Sequence, residues 1–306
     1  GGRLRVRAAP GADGIDAYLS QALGRDVLIS THLGAARANR KPVLQLLTPD
    51  GDTAGFAKLS INPLTRDLIR AECAALDTLA AAGLHGLTAP RVLHHGQWQG
   101  HDVLIMSALP TWRRRKPLRP GQLAAAMTEL AAVGGLTRAP LDADSVFLAR
   151  LRSRLAVSPD GPDRDALETI VVGLAATGAE LSFGSWHGDW TGWNMASTAR
   201  ELLVWDWERF SQPVPLGFDC LHHRLQFAVV RRHQPPEAAA AQAIRSAPAE
   251  LAPLGVPAPE AHLTAVAYLT ELSVRYLADR QAEAGARLGR PGTWLIPAIE
   301  QAMRTL

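Results

Sequence analysis

The chain has 306 residues, 47% of them hydrophobic and 20% charged, which suits a folded globular protein large enough for two lobes and excludes disorder throughout. Its formal charge is +3, and its basic side chains are arginines apart from Lys41, Lys58 and Lys116. Only two cysteines occur, Cys73 and Cys220, too far apart to suggest a disulfide framework or a zinc motif, and no apolar run nears the ~20 residues of a membrane helix.

A reducing cytoplasm is therefore expected, since the first residues also lack the apolar centre of a signal peptide. Residues 1–10 carry no fold signal. Over 12–24, Ile15, Leu19 and Leu23 recur at helical spacing and Gly24 closes the pattern, predicting a short amphipathic helix. Residues 26–32, 42–48 and 55–61 read as three strands of an antiparallel meander, with Pro49-Asp50-Gly51-Asp52 as the turn before the third. The connection over 34–40 is basic and holds one glycine, and it reads as a solvated hairpin more readily than as a phosphate-covering loop.

Alternation in the third strand puts Phe56, Lys58 and Ser60 on one face. A strand lysine is ordinarily an edge residue with its amine in water. Here a long helix follows over 65–82, carrying Glu72 among Leu68, Ile69, Leu76 and Leu79. Two more strands are expected over 90–97 and 101–109, then a basic run, Arg113 to Lys116, read as a solvated loop. That run is too short, and too poor in aromatics, to indicate nucleic-acid binding. Helices are predicted at 119–133, 142–157, 162–180, 217–234, 236–249, 258–285 and 293–305.

The densest chemistry lies between Trp186 and Phe210. His187-Gly188-Asp189, four residues, then Asn194 has the spacing of a kinase catalytic loop, whose Asp takes the acceptor's proton and whose Asn holds magnesium. Asp206 comes 17 residues after Asp189, behind the apolar run Leu202 to Trp205, where a kinase places its second magnesium ligand. With Trp207 and Glu208 it completes an Asp-aromatic-Glu signature. The stretch resembles the aminoglycoside phosphotransferase and choline kinase-like family, which shares the protein-kinase-like fold.

The resemblance implies an α+β fold of two lobes, an antiparallel sheet with a helix over 1–110 and a larger, mainly helical lobe over 111–306. It implies a phosphotransferase that moves the γ-phosphoryl group of ATP (or GTP) to a hydroxyl of a small molecule, with Asp189 as base, His187 bracing the loop, and Asn194 and Asp206 on Mg²⁺. Lys58 and Glu72 would orient the phosphates, and Met106, Ser107, Ala108 and Leu109 are nominated for the nucleotide base by their place at the lobe linker. Asp219 resembles a structural acid of the family and is expected to cap the helix that follows it. Two alternatives stay open: transfer to Ser or Thr in a peptide, and a kinase-like binding protein without turnover. Gly188 replaces the arginine with which protein kinases sense a phosphorylated activation loop. Trp190 and Trp193 are candidates to stack on an acceptor, core packing being the ordinary role of an indole. From Ser211 to Leu306 eight acidic residues face nine arginines, which favours a neutral or anionic acceptor over a polycation. Oligomeric state is not legible in the sequence.

Overall fold

A computed structural model describes residues 14–32, 37–112, 115–119, 121–199, 201–286 and 288–305. The chain opens with α1 (Ile15–Leu23), β1 (Leu28–His32), β2 (Val43–Leu47), β3 (Thr53–Leu59), α2 (Pro63–Ala82), β4 (Leu87–Thr88), β5 (Val92–Trp98) and β6 (His101–Met106). Five of these strands form one antiparallel sheet in the order β1-β2-β3-β6-β5. β6 shows how the period of two builds the lobe. Val103 and Ile105 join Leu19 of α1 and Leu44, Leu46, Ala57 and Leu59 in a small cluster, while Leu104 and Met106 point the other way into the main core.

Helix α2 is cut sharply at both ends. Asn62 accepts from the Thr65 amide and the Thr65 hydroxyl returns a bond to the cap, Pro63 occupies the first turn, and Gly83 at φ +64° stops the helix. Its buried stripe of Ile69, Ala75, Leu76 and Leu79 packs into the main core, and Glu72 lies within that stripe, fully buried.

The remainder comprises α3 (Gln122–Ala131), β7 (Thr137–Pro140), α4 (Val146–Ala156), α5 (Pro162–Ala176), β8 (Glu180–Trp186), β9 (Met195–Ser197), β10 (Leu202–Val204), β11 (Ser211–Pro215), α6 (Phe218–Gln226), α7 (Pro236–Leu251), α8 (Ala258–Ala278) and α9 (Leu295–Met303). Two three-stranded sheets, β4-β10-β9 and β11-β8-β7, sit among these helices. The second corrects the sequence reading, in which 162–180 was one helix and 137–140 held no strand. The helix ends at Ala176, Gly178 turns the chain at φ +54°, and the aromatic run to Trp186 pairs with β7 and β11 instead. The main core is lined by Phe147, Trp186, Trp207, Phe218, Tyr268 and Trp294, all essentially buried, each such ring contributing roughly 1.5–3 kcal/mol. Among the described residues no helix is long and apolar enough to cross a membrane.

Candidate active site

β3 and α2 bring the two halves of the first charged array together. Lys58 Nζ donates to Glu72 Oε1 and Oε2 at 2.7 and 2.6 Å, and to Asp206 Oδ1 at 2.6 Å. Glu72 Oε1 also accepts from the Trp207 amide at 3.2 Å, tying the helix to the strand end beyond β10. Burial opposes the charge on Lys58, but Asp206, Glu72 and Glu208 outweigh it and hold its pKa above the ordinary lysine value. Burial likewise opposes ionisation of Asp206, yet Lys58 and Lys41 keep its carboxyl below the ordinary range. Asp206 adopts φ +73°, a left-handed conformation that a non-glycine residue holds only against a cost, and its side chain remains about one-third exposed.

A cleft of about 520 Å³ opens beside this array, with Val43, Phe56, Pro90, Met106, Ser107 and Leu109 as walls and Lys58, Glu72, Asn194 and Asp206 at its polar end. Such a volume suits a nucleotide. Ala108, nominated with its neighbours, is not among the lining residues. Arg115 does line the cleft, so one member of the basic run faces it; Arg113 and Arg114 lie outside the described residues.

The catalytic-loop motif is held by bonds that run through its own backbone. His187 is fully buried; its Nε2–H donates to the Trp205 carbonyl at 3.1 Å and its Nδ1 accepts from the Asp189 amide at 3.0 Å. Burial lowers its pKa to about 4, so the imidazole is neutral and acts as a brace between the loop and the β10 strand end. Gly188 adopts φ +84°, and its chain passes so near Arg209 that a side-chain carbon would lie 2.3 Å from the Arg209 carbonyl oxygen. Asp219 does not cap α6, contrary to the sequence expectation. Instead its carboxyl oxygens accept from the amides of His187, at 2.7 Å, and Gly188, at 3.2 Å. Burial raises its pKa to about 7 against the pull of those two amides. Arg275 of α8 completes the loop's support by donating to the Gly188 carbonyl at 2.6 Å.

Asp189 is gripped from both sides. Asn194 Nδ2 donates to Oδ2 at 3.0 Å, and His222 Nε2 contacts Oδ1 at 2.9 Å. Burial would raise the Asp189 pKa, but the hydrogen bond from His222 and the charge of Arg275 carry it below the ordinary value. Asp189 faces a second cavity of about 150 Å³, shared with Arg37, Trp193, Glu208, Arg209, His222, Arg275, Tyr276 and Asp279. Trp193 is 42% exposed at its edge, whereas Trp190 is fully buried and bonds Met195 Sδ, which removes Trp190 from the stacking candidates.

The connection between β1 and β2 is not simply a solvated hairpin. Asn39 Nδ2 donates to Glu208 Oε1 at 3.0 Å, and Lys41, itself buried, forms an ion pair with Glu208 Oε2. Residues 33–36 of that connection lie outside the described residues. Lys41, His222, Tyr268 and Arg275 escaped the sequence reading. For His222 a signal existed, because it stands one helical turn beyond Asp219 on the same face of α6.

Magnesium suits the oxygen donors present. Asn194 spends its amide nitrogen on Asp189, at both Oδ2 and the main-chain oxygen, which leaves its amide oxygen available as a hard donor. Asp206 offers a carboxylate on the same cleft. Glu72, Asp206 and Glu208 also bring oxygens within 4.8 Å of one another, but each of them already pairs with Lys58 or Lys41.

No protein-family model matches the chain, and no curated protein matches it in sequence. Solved structures do resemble it. A protein from Haemophilus somnus 129PT, assigned as a fructosamine-3-kinase, aligns at 17% identity over 94% of this chain and 96% of its own, with a TM-score of 0.54. The GDP complex of wild-type aminoglycoside 2′-phosphotransferase-IIIa aligns at 12% identity over 95% and 99%, with a TM-score of 0.51. A GDP and kanamycin complex of an APH(2″) enzyme aligns at 12% identity over 90% and 92%, with a TM-score of 0.50. These likenesses show the fold: an N-terminal antiparallel sheet and a mainly helical remainder in the protein-kinase-like arrangement.

Proposed function

We propose that the chain is a phosphotransferase that moves the γ-phosphoryl group of ATP or GTP to a hydroxyl of a small molecule. The observation that carries this reading is the pair of adjoining cavities, one ending in the Lys58, Glu72 and Asp206 array and the other facing Asp189, with Asn194 bonded to Asp189 between them. The fold agrees, and two proteins of similar structure are complexes with GDP.

In this reading residues 1–110 and 111–306 are the two lobes, the nucleotide base lies along Met106, Ser107 and Leu109, and Lys58, held by Glu72, takes the phosphates. Mg²⁺ held by Asn194 and Asp206 would neutralise charge on the transferring group. Asp189 orients the acceptor hydroxyl and receives its proton as the oxygen attacks phosphorus. His187 has no exposed nitrogen to offer, so its role is to brace the loop. Positioning and electrostatics supply most of the rate in such a transfer.

The acceptor is a neutral or anionic hydroxyl compound. Around the second cavity Glu208 is paired with Lys41 and Asp279 with Arg209, which leaves Asp189 facing Arg37 and Arg275. A polycation finds no acidic excess there. The kanamycin complex is with a small molecule, and no observation favours a peptide. A coupled nucleotide-consumption screen over sugars, amino alcohols, aminoglycosides, hydroxy acids and Ser/Thr peptides tests the assignment. Turnover of a neutral or anionic compound is expected, lowered by roughly 10²–10⁴-fold in Asp189→Asn; efficient turnover of polycations or peptides would overturn the acceptor class, and an undiminished Asp189→Asn would remove Asp189 from the chemistry.

A further inference from the structure

Next to Asp189 two buried polar side chains stand in line. His222 of α6 is 1% exposed and Tyr268 of α8 is fully buried, and both lie among the rings of Trp186 and Phe218. His222 Nε2 is 2.9 Å from Asp189 Oδ1, and His222 Nδ1 is 3.0 Å from the Tyr268 hydroxyl. A histidine in an apolar core needs a partner on each nitrogen, and here one of the two is the carboxylate on which the proposed transfer turns.

We infer that His222 is a positioning residue for phosphoryl transfer: with its tautomer set by the Asp189 carboxylate and its ring held by the Tyr268 hydroxyl, it fixes the plane of that carboxylate so that the remaining lone pairs meet the acceptor hydroxyl. This rests on the phosphotransferase reading above. The roles follow from the donors available. A carboxylate only accepts, so Nε2 carries the hydrogen; Nδ1 of a neutral imidazole then only accepts, so the Tyr268 hydroxyl donates to it. Burial keeps the imidazole neutral, lowering the His222 pKa against the pull of Asp189. The chain Tyr268 to His222 to Asp189 thus has one direction, and reversing the imidazole would set two acceptors, Nε2 and the Asp189 carboxylate, face to face.

An unrestrained carboxylate rotates about its last bond and presents its oxygens over a wide arc. Asp189 is denied that freedom because Asn194 holds Oδ2 while His222 holds Oδ1. Its side chain is still 31% exposed and lines the second cavity, so the grip restrains the group without covering it. In the transfer the acceptor oxygen bonds to the γ-phosphorus, the bond to the β–γ bridging oxygen breaks, the nucleoside diphosphate leaves, and the hydroxyl proton passes to Asp189. His222 exchanges no proton. Tyr268, whose pKa burial raises well above the ordinary value, stays protonated and supplies only the hydrogen bond.

Two measurements test this together. Nitrogen-15 imidazole spectra of the full chain at pH 7 should show His222 as the single Nε2–H tautomer, becoming a mixture in Asp189→Ala; an Nδ1–H tautomer in the wild type or an unchanged spectrum in that variant overturns the assignment whether or not turnover is seen. Phosphate release from Mg·ATP, with water as acceptor, should fall in kcat by roughly 10–100-fold in His222→Phe, the loss typical of removing a supporting hydrogen-bond partner, with KM for ATP unchanged. His222→Gln, whose amide can still donate, should recover most of it and provides the comparison if His222→Phe does not fold. In an Asp189→Asn background the loss should vanish, since a residue acting only through Asp189 has nothing left to position. An equal loss in both backgrounds makes His222 merely structural and refutes the inference. A wild-type chain with the expected tautomer but no phosphoryl transfer refutes instead the reading on which the inference rests.

Discussion

Gly188→Ala tests the geometry of the catalytic loop with little dependence on the identity of any ligand. A methyl there would lie 2.3 Å from the carbonyl oxygen of Arg209, 2.6 Å from its Cβ and 2.8 Å from its carbonyl carbon, contacts with main chain that no side-chain rotation relieves. The φ of +84° adds roughly 1–2 kcal/mol for an L-residue, and overpacking a tight site adds roughly 1–3 kcal/mol. The expected destabilisation is therefore about 2–5 kcal/mol, which for a chain of this length lowers Tm by roughly 3–8 °C. The shift that causes it also disturbs both anchors of Gly188, its amide on Asp219 and its carbonyl on Arg275, so Asp189 moves with it. Gly192→Ala is the matched control, since no atom lies within 4 Å of the added carbon and its backbone is not left-handed. Its effect should stay within about 0.5 kcal/mol. Thermal and urea unfolding of both variants decide the matter, and equal stabilities would refute the close approach of the loop to Arg209.

Other perturbations separate the remaining elements of the site. Lys58→Met leaves the buried Glu72 and the partly exposed Asp206 without their shared partner and should cost about 3–5 kcal/mol at pH 8 by urea unfolding, less at pH 5 where a carboxyl can take up a proton; a pH-independent loss would show that the array is not electrostatically coupled. His187, neutral in the fold down to about pH 4, is protonated in the unfolded chain below about pH 6.5. Its stabilisation is complete above pH 6.5 and is lost as pH falls toward 4, by up to roughly 3 kcal/mol, and His187→Gln should remove that slope. Asp219 acts in the opposite sense: with a folded pKa of about 7 it favours the native state increasingly as pH falls from 7 toward its unfolded value near 4, so Asp219→Asn should steepen the acid loss. Mg·ATP at about a hundred times its Kd should stabilise the wild-type chain by ~2.7 kcal/mol, and Asp206→Ala should abolish the part that depends on magnesium; an unchanged response would place the metal elsewhere.

The parts of the site that could be read from the sequence are those whose partners are close along the chain or sit in a regular element. His187, Asp189 and Asn194 share one loop, and Lys58 and Glu72 are 14 residues apart on a strand and the helix after it, where periodicity alone turns both inward. Lys41 meets Glu208 across 167 residues and His222 meets Asp189 across 33, through a contact made only when α6 docks against the loop. No local pattern encodes such meetings. Asp219 was misread for the same reason: an acid at a helix start has a local use as a cap, and the tertiary fold instead spends both its oxygens on the His187 and Gly188 amides. The strand Glu180–Trp186 was hidden because helix propensity runs on to Ala179, and the turn at Gly178 outweighs it.

The main core does not stop at the boundary between the sheet and the helical part. Ile69, Ala75, Leu76 and Leu79 of α2 and Leu104 and Met106 of β6 belong to the same cluster as Trp186, Trp207 and Phe218, whereas the sheet's own cluster has eight buried members among the described residues. The two halves are therefore not separable. A fragment ending at residue 110 would expose the inner face of α2 and lose the partners of Glu72, so it should collapse without unique packing or aggregate, and the intact chain should melt in one transition rather than half by half. Hydrogen exchange should protect the middle of α2 as strongly as α8, binding the lysine-anchoring helix to the fate of the larger half.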